Sequence, residues 1–284
     1  MAAEKDDIRI INEYQKNLYG NMEKTISERL FSKYNDVLQK HRGKDTLKIL
    51  DIGGASGYFA LKLKEYYCDT DCDVTVIDST VFETWSEFSG RINCIETSVD
   101  DIDKIFSENT FDIIFANRVF HHFVRKNWKQ TVEGIDEIIK KIHKILKKNG
   151  TICITEHFFD GLLVDGLSSR IVYALSSNKC KAIIALCKKI GVESAGVGVC
   201  FLSKKTWIKK LTDNKFEIEK IDESKKERLK EWYKKIMFLN KKNTLDNIII
   251  AMAQKAGSAF NEVAGKRRRG GDFNGRSSNF VGYP

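Results

Sequence analysis

Lys48-Ile49-Leu50-Asp51-Ile52-Gly53-Gly54-Ala55-Ser56-Gly57 is the stretch whose reading decides the fold of this 284-residue chain. Leu47, Ile49, Leu50 and Ile52 read as a buried parallel strand, apolar on both faces. An acid and a glycine-rich turn follow, and Tyr58-Phe59-Ala60-Leu61 opens a helix. Glycine in such a turn takes φ > 0 and lets backbone approach a ligand where a Cβ would collide. A strand passing through that turn into a helix aims backbone N–H groups at a negatively charged ligand group.

Spacing separates the ligands that suit this geometry. The dinucleotide fingerprint Gly-x-Gly-x-x-Gly fails from Gly53, where Ala55 and Tyr58 occupy the required positions, and from Gly54, where Ser56 and Phe59 do. A P-loop fails because no Gly-Lys-Ser/Thr follows. What remains, Asp51-x-Gly53-x-Ala55-x-Gly57, suits any strand–turn–helix of an α/β domain. It also resembles motif I of the class I S-adenosylmethionine-dependent methyltransferases, acid-x-Gly-x-Gly-x-Gly, with Ala55 in place of the middle glycine.

Composition bounds the rest. Hydrophobic residues make up 42% of the chain, as in a globular protein with its own core. No apolar run reaches the ~18 residues of a membrane span. The start, Met-Ala-Ala-Glu-Lys-Asp-Asp, lacks the basic and apolar regions of a signal peptide. The seven cysteines are an odd number without Cys-x-x-Cys spacing, and several sit in apolar runs. They read as reduced core thiols of a cytoplasmic protein. Cys68 and Cys72 have no histidine beside them, so no metal site is expected. Net charge is +9. Residues 257–284 carry Lys266, Arg267, Arg268, Arg269 and Arg276 against Glu262 and Asp272. The remaining lysines read as solvated helix faces.

Taken in order, residues 6–41 show two helical apolar stripes divided at Gly20-Asn21. Val74 to Asp78 reads as a second strand. Asp78 lies about 20 residues beyond the glycine turn, the interval at which a strand-tip carboxylate reaches a ribose. A helix N-cap is its other reading. Arg91–Glu96 is a short third strand and Phe111–Asn117 a fourth, leading into Arg118-Val119-Phe120-His121-His122-Phe123. Asn127 to Lys148 is an amphipathic helix, with Asn149-Gly150 as its end. Thr151–Glu156 is a fifth strand with His157-Phe158-Phe159 at its tip. An apolar, helical insertion follows, and Ser203 reads as the N-cap of a helix holding Trp207 and Leu211. Phe216–Ile221 and Leu245–Ala253 are the last strands, with a helix from Glu223 to Leu239 between them.

The segment Phe111–Phe123 is similar to motif IV of the small-molecule branch of the same family. The resemblance runs from about Leu47 to Lys255. It implies a Rossmann-like α/β fold, with seven mostly parallel strands, helices on both faces and an antiparallel last strand. Residues 1–45 would be a helical cap, in which Tyr14 and Tyr19 would lie near the cofactor. Residues 46–256 would be the methyltransferase domain, with a helical lid at about 160–202. Residues 257–284 read as a disordered basic tail. S-adenosylmethionine would be held by Asp51, Gly53, Gly54, Ala55 and Gly57, by Asp78 and Ser79 at the ribose, by Ser98 and Val99 at the adenine and by Asn117 near the methyl. Ser98 stands where the family usually has an acid, with Asp100 and Asp101 as close alternatives. His121 or His122 is a candidate general base or, equally, a packing residue of the loop. Glu156, His157, Phe158 and Tyr173 would face substrate. The expected acceptor is an oxygen or nitrogen of a small molecule, without a membrane partner. An RNA or protein acceptor, drawn by the basic tail, and a cofactor-binding scaffold without turnover are the alternatives. The lone proline, Pro284, excludes the Asn/Asp-Pro-Pro-Tyr signature of amine-directed nucleobase enzymes and the Pro-Cys nucleophile of cytosine C5 enzymes.

Overall fold

The computed structural model describes residues 25–161, 164–189, 194–223 and 246–255. The chain divides into residues 1–254 and residues 255–284, the second lying almost wholly outside the described part. The expected helical stretch around Gly20-Asn21, the helix over 223–239 and the tail lie largely or wholly outside it as well.

Seven strands form one sheet in the order β3-β2-β1-β4-β5-β7-β6. They are β1 (Thr46–Ile52), β2 (Asp71–Asp78), β3 (Asn93–Glu96), β4 (Phe111–Asn117), β5 (Leu146–Glu156), β6 (Phe216–Asp222) and β7 (Asn247–Ala253). The first five are mutually parallel, and β7 runs antiparallel to both β5 and β6. The helices are α1 (Asn35–Lys40), α2 (Tyr58–Tyr66), α3 (Thr84–Glu87), α4 (Ile102–Ile105), α5 (Trp128–Ile145), α6 (Leu167–Ser176), α7 (Lys181–Lys189) and α8 (Lys204–Asp213). Residues 25–33 are also helical. This is the Rossmann-like arrangement expected, with an antiparallel last strand.

Side-chain alternation along the strands makes the sheet two-sided. Ile49, Ile113 and Phe115 pack with Val37, Leu38, Phe59 and Leu63 from α1 and α2. Leu50, Ile52, Ile114 and Ile152 pack with Ile135, Ile139 and Ile142 of α5 and Trp207 and Leu211 of α8. Each such isoleucine, fully withdrawn from water, contributes about 1.5–3 kcal/mol. Asn127 caps α5 by accepting from the Gln130 N–H, and Ser203 caps α8 by accepting from Thr206.

Helix α5 stops at Ile145, short of the expected Lys148, because Leu146 already pairs with Phe111 at the start of β5. Asn149 takes φ 60° inside that strand segment instead of ending a helix. Among the described residues no helix is long and apolar enough to cross a membrane.

Candidate active site

The glycine turn opens at the carboxyl end of β1, and its φ values alternate in sign. Gly53 has φ 66°, Ala55 46° and Gly57 83°. Ala55 therefore holds a left-handed conformation that costs an alanine roughly 1–2 kcal/mol. The turn is closed by Gly57 N–H on the Gly54 carbonyl at 2.9 Å, and anchored by Gly53 N–H on the Ile77 carbonyl at 2.8 Å. Trp85 Nε1 donates to the Ala55 carbonyl and Thr84 Oγ1 to the Ser56 carbonyl, both at 2.7 Å. A Cβ on Gly53 would lie 2.3 Å from Val119 Cγ2, so the turn fits directly against the loop after β4. A Cβ on Gly54 would lie 2.5 Å from Asp51 Oδ2. Asp51, expected to touch the cofactor, is 1% exposed and lies beneath the turn.

Asp78 ends β2 and faces this turn. Its carboxylate accepts from Ala55 N–H at 3.3 Å and from Thr80 N–H at 3.0 Å. Burial raises its pKa to about 6 against the pull of the Thr80, Ala55 and Ser79 N–H groups. A carboxylate so placed is an acceptor-only group beside a donor-rich turn, the arrangement a vicinal diol requires. Ser79 is exposed beside it. The Ser98 hydroxyl accepts from Asp100 N–H and caps the turn after β3. Val99 is buried in the core beyond it, and Asp100 pairs with Arg125.

At the tip of β4, Tyr34 Oη donates to Asn117 Oδ1 at 2.8 Å and lies 2.6 Å from Thr155 Oγ1. Asn117 Nδ2 is buried, with no hydrogen-bond partner among the described residues. Arg118 follows in a left-handed conformation, φ 54°, with its N–H on the Thr155 carbonyl. Its guanidinium grips Asp246, itself at φ 54°, and Arg29 reaches the same carboxylate at 2.8 Å. Burial opposes the Asp246 charge, but Arg118 and then His157 and Arg29 hold its pKa below the usual range.

The two adjacent histidines part company. His122 is exposed, whereas His121 is buried. His121 Nδ1 lies 2.9 Å from Glu156 Oε2 and 3.1 Å from Oε1. The N–H groups of His121 and His157 also donate to that carboxylate, each at 3.3 Å. Burial, then the Arg118 charge, pushes the His121 pKa down to about 3, while burial raises that of Glu156. His157 Nδ1 accepts from Asp246 N–H at 3.0 Å, which leaves its proton on Nε2. Phe201, from the loop before α8, stacks on His121 at 4.8 Å, and Cys200 N–H bonds the His121 carbonyl at 2.9 Å.

Two substrate-facing expectations, Glu156 and Phe158, are corrected. Glu156 is 2% exposed and turned onto His121. Phe158 is also 2% exposed and packs in the main core. Tyr173 uses its hydroxyl on the Arg125 carbonyl at 2.6 Å. His157 keeps 19% of its side chain exposed among these groups. Tyr34, Arg118, Thr155, Asp246 and Phe201 were absent from the expected site. Only Arg118, directly after the strand tip, carried a sequence signal. Among the described residues no cluster of His, Cys, Asp and Glu suits a metal ion.

Comparison with known proteins fits this geometry. Residues 22–221 match the family model described as a methyltransferase domain. The chain belongs to the methyltransferase-domain family. This methyltransferase-family chain is 27% identical over 110 residues to the phosphoethanolamine N-methyltransferase of Plasmodium falciparum, covering 39% of each. It is 25% identical over 134 residues to the malonyl-[acyl-carrier protein] O-methyltransferase of Calditerrivibrio nitroreducens, covering 47% of this chain and 46% of that protein. It thus spans less than half the length of these curated relatives. The fold matches the YcgJ protein of Bacillus subtilis, with TM-score 0.52, 14% identity and coverage of 78% and 98% of the two chains. It also matches Haemonchus contortus phosphoethanolamine N-methyltransferase 2, solved with phosphomonomethylethanolamine and S-adenosylhomocysteine, with TM-score 0.51 and 12% identity. That match covers 79% of this chain and 53% of the other.

Proposed function

We propose that this chain is an S-adenosylmethionine-dependent methyltransferase acting on an oxygen or nitrogen of a small molecule. The observation that carries the reading is Asp78, a half-buried carboxylate held at the end of β2 against the Ala55 N–H of the glycine turn. Asp78 and Ser79 would take the ribose hydroxyls, Gly53 to Gly57 the methionine end, and Ser98 and Val99 the adenine through backbone groups. Asp51 supports the turn from below, and Asn117 lies nearest the transferred methyl. When bound, the cofactor supplies a methyl group on a sulfonium already activated for displacement. The chain's own task is to hold the acceptor in line and exclude water, and positioning alone can lower the barrier by roughly 7–11 kcal/mol.

The histidines belong to this reading. His121 is buried against Glu156 and His122 is exposed beside it, so His121 is the stronger candidate for a proton-handling group. Helices α6 and α7 would form the lid over the acceptor, and residues 25–45 would lie on the cofactor side. A small, partly apolar acceptor suits the half-buried Phe201 ring, which stacks on the buried Phe159 at 4.4 Å. The relatives that methylate phosphoethanolamine and malonyl-[acyl-carrier protein] show both acceptor atoms in use by similar proteins.

The test is transfer of labelled methyl from S-adenosylmethionine into a cell extract, separated by size. Label in the small-molecule fraction is the expected outcome. Label confined to RNA or protein overturns the acceptor class. Cofactor binding without any label supports the scaffold reading instead.

A further inference from the structure

Three polar side chains from three elements meet at the tip of β4: Asn117 itself, Tyr34 from the turn before α1, and Thr155 on β5. Asn117 Oδ1 is only an acceptor, so the single hydrogen of Tyr34 Oη is committed to it, at 2.8 Å. The 2.6 Å contact between Tyr34 Oη and Thr155 Oγ1 then runs the other way, with Thr155 donating. The hydrogens point in one direction, from Thr155 through Tyr34 to Asn117. Tyr34 is fully buried, with its ring edge-on to Phe59 at 6.2 Å and to Phe115 at 5.0 Å. Burial raises its pKa and keeps the hydroxyl protonated. The end of the amide left over is Nδ2, two hydrogens with no partner among the described residues. A buried donor of this kind costs about 1–3 kcal/mol until something accepts from it. Asn117 is half-buried as a whole and stands between two parts of the site. Ile52 pairs with Ala116, and a Cβ on Gly53 would strike Val119, so the glycine turn lies on one side. Thr155 lies on the other.

We infer that Asn117 Nδ2 donates to the reacting atom of the acceptor, that Tyr34 is the positioning residue which turns this end of the amide towards it, and that the acceptor atom is therefore oxygen and not nitrogen. This rests on the functional reading above and narrows its substrate class. A neutral amine has one lone pair, and the methyl group needs it. An N–H held against that lone pair would block the transfer. The other end of the amide would suit an amine by accepting one of its hydrogens, but Tyr34 occupies it. An oxygen keeps a further lone pair for the amide, and a hydrogen-bond donor favours its ionised form. One lone pair of the ionised oxygen forms the bond to the methyl carbon as the carbon–sulfur bond breaks and its electron pair goes to sulfur. The anion and the sulfonium neutralise one another, and no proton moves.

Three measurements test this on the full chain. Joint X-ray and neutron crystallography on deuterated protein reads the amide directly. Deuterons on the Asn117 atom that faces away from Tyr34 are expected. Deuterons on the atom facing Tyr34 overturn the inference, whatever the protein methylates. Next, methyl-¹³C S-adenosylmethionine is turned over with an extract of ¹⁵N-grown cells. A product methyl at an oxygen-bound shift, without one-bond splitting from ¹⁵N, is expected. A split signal, or a carbon- or sulfur-bound shift, overturns the inference and leaves methyl transfer standing. Finally, Asn117→Asp keeps an oxygen for Tyr34 but loses the donor. Labelled-methyl transfer should fall by about 10- to 100-fold, with cofactor affinity in calorimetric titration within about twofold of wild type. A residue that merely accepts from Tyr34 would tolerate this change, so transfer within about threefold of wild type overturns the inference. Weaker cofactor binding overturns it as well, because Nδ2 would then serve the cofactor. Tyr34→Phe should lower transfer by about 3- to 10-fold alone and have no effect in the Asn117→Asp background, since a carboxylate has no wrong end. An equal loss in both backgrounds would show that Tyr34 only packs. Failure of the wild type to bind the cofactor would instead sink the functional reading, and the deuteron positions would still decide the amide.

Discussion

The two ends of the sheet treat a buried carboxylate in opposite ways. At the amino-terminal end, Asp112 on β4 is met by Lys147 at 2.7 Å, Lys44 at 3.0 Å and the Lys48 N–H at 3.0 Å. Burial opposes its charge, but these three donors hold its pKa below the ordinary value. At the carboxyl-terminal end, Asp78 is half-buried among N–H groups and Glu156 is buried beside histidine, and desolvation pushes both pKa values up. Asp246 is the exception at that end, and the arginine it holds is the residue directly after Asn117. One end is arranged for stability. The other keeps under-matched charge at Asp78 and Glu156, as is found where ligands bind.

That contrast can be broken by substitution, and the largest effect is expected at the stable end. Asp112→Ala leaves Lys44 and Lys147 without their shared partner. Both side chains are about two-fifths exposed and can turn to water, so the expected loss is about 2–3 kcal/mol in denaturant unfolding. A loss below 0.5 kcal/mol would remove the distinction between the ends.

Asp78→Asn has the opposite expected sign. The folded-state pKa of about 6 lies above the ordinary 3.8, so ionising Asp78 costs stability. The penalty is absent below about pH 4, grows as pH rises through 6 and is complete at neutral pH. The variant should gain about 1–2 kcal/mol at pH 7.5 and nothing at pH 3.5. A stability difference that is flat with pH would show that Asp78 is not held against its charge.

Ala55→Gly should have the smallest effect. Release of the left-handed alanine gains roughly 1–2 kcal/mol, and glycine's greater freedom in the unfolded chain returns roughly 0.4–1 kcal/mol. A rise of about 0.5–1 kcal/mol in unfolding free energy is expected, and a fall would mean that the Ala55 methyl is needed for packing.

Much of this site is legible in the sequence because it is local. The turn from Gly53 to Gly57, the acid at the end of β2 and the strand tip at Asn117 each lie within one strand–loop unit, where apolar runs and glycines fix position. The rest depends on pairs far apart in the chain. Glu156 turns from a substrate-facing acid into the partner of His121 only when β5 lies beside β4. Asp246 reads as the start of a strand, yet takes φ 54° because Arg118, 128 residues earlier, claims its carboxylate. Helix α5 reads three residues too long because Lys147 and Lys148 are good helix formers, and no local signal shows that Leu146 is claimed by Phe111. Phe158 sits at a strand tip, where a loop side chain reads as exposed, but it packs in one core with Cys200, Leu202 and Trp207, and Phe159 N–H bonds the Leu202 carbonyl.

The most direct test of the central claim is calorimetric titration of S-adenosylmethionine into the wild type and into Asp78→Asn. The account predicts one-to-one binding to the wild type and affinity lower by at least about 10-fold in the variant, whose fold is intact or more stable. Equal affinity in the two proteins would contradict the assignment of Asp78 to the ribose. No binding to the wild type would contradict the cofactor itself.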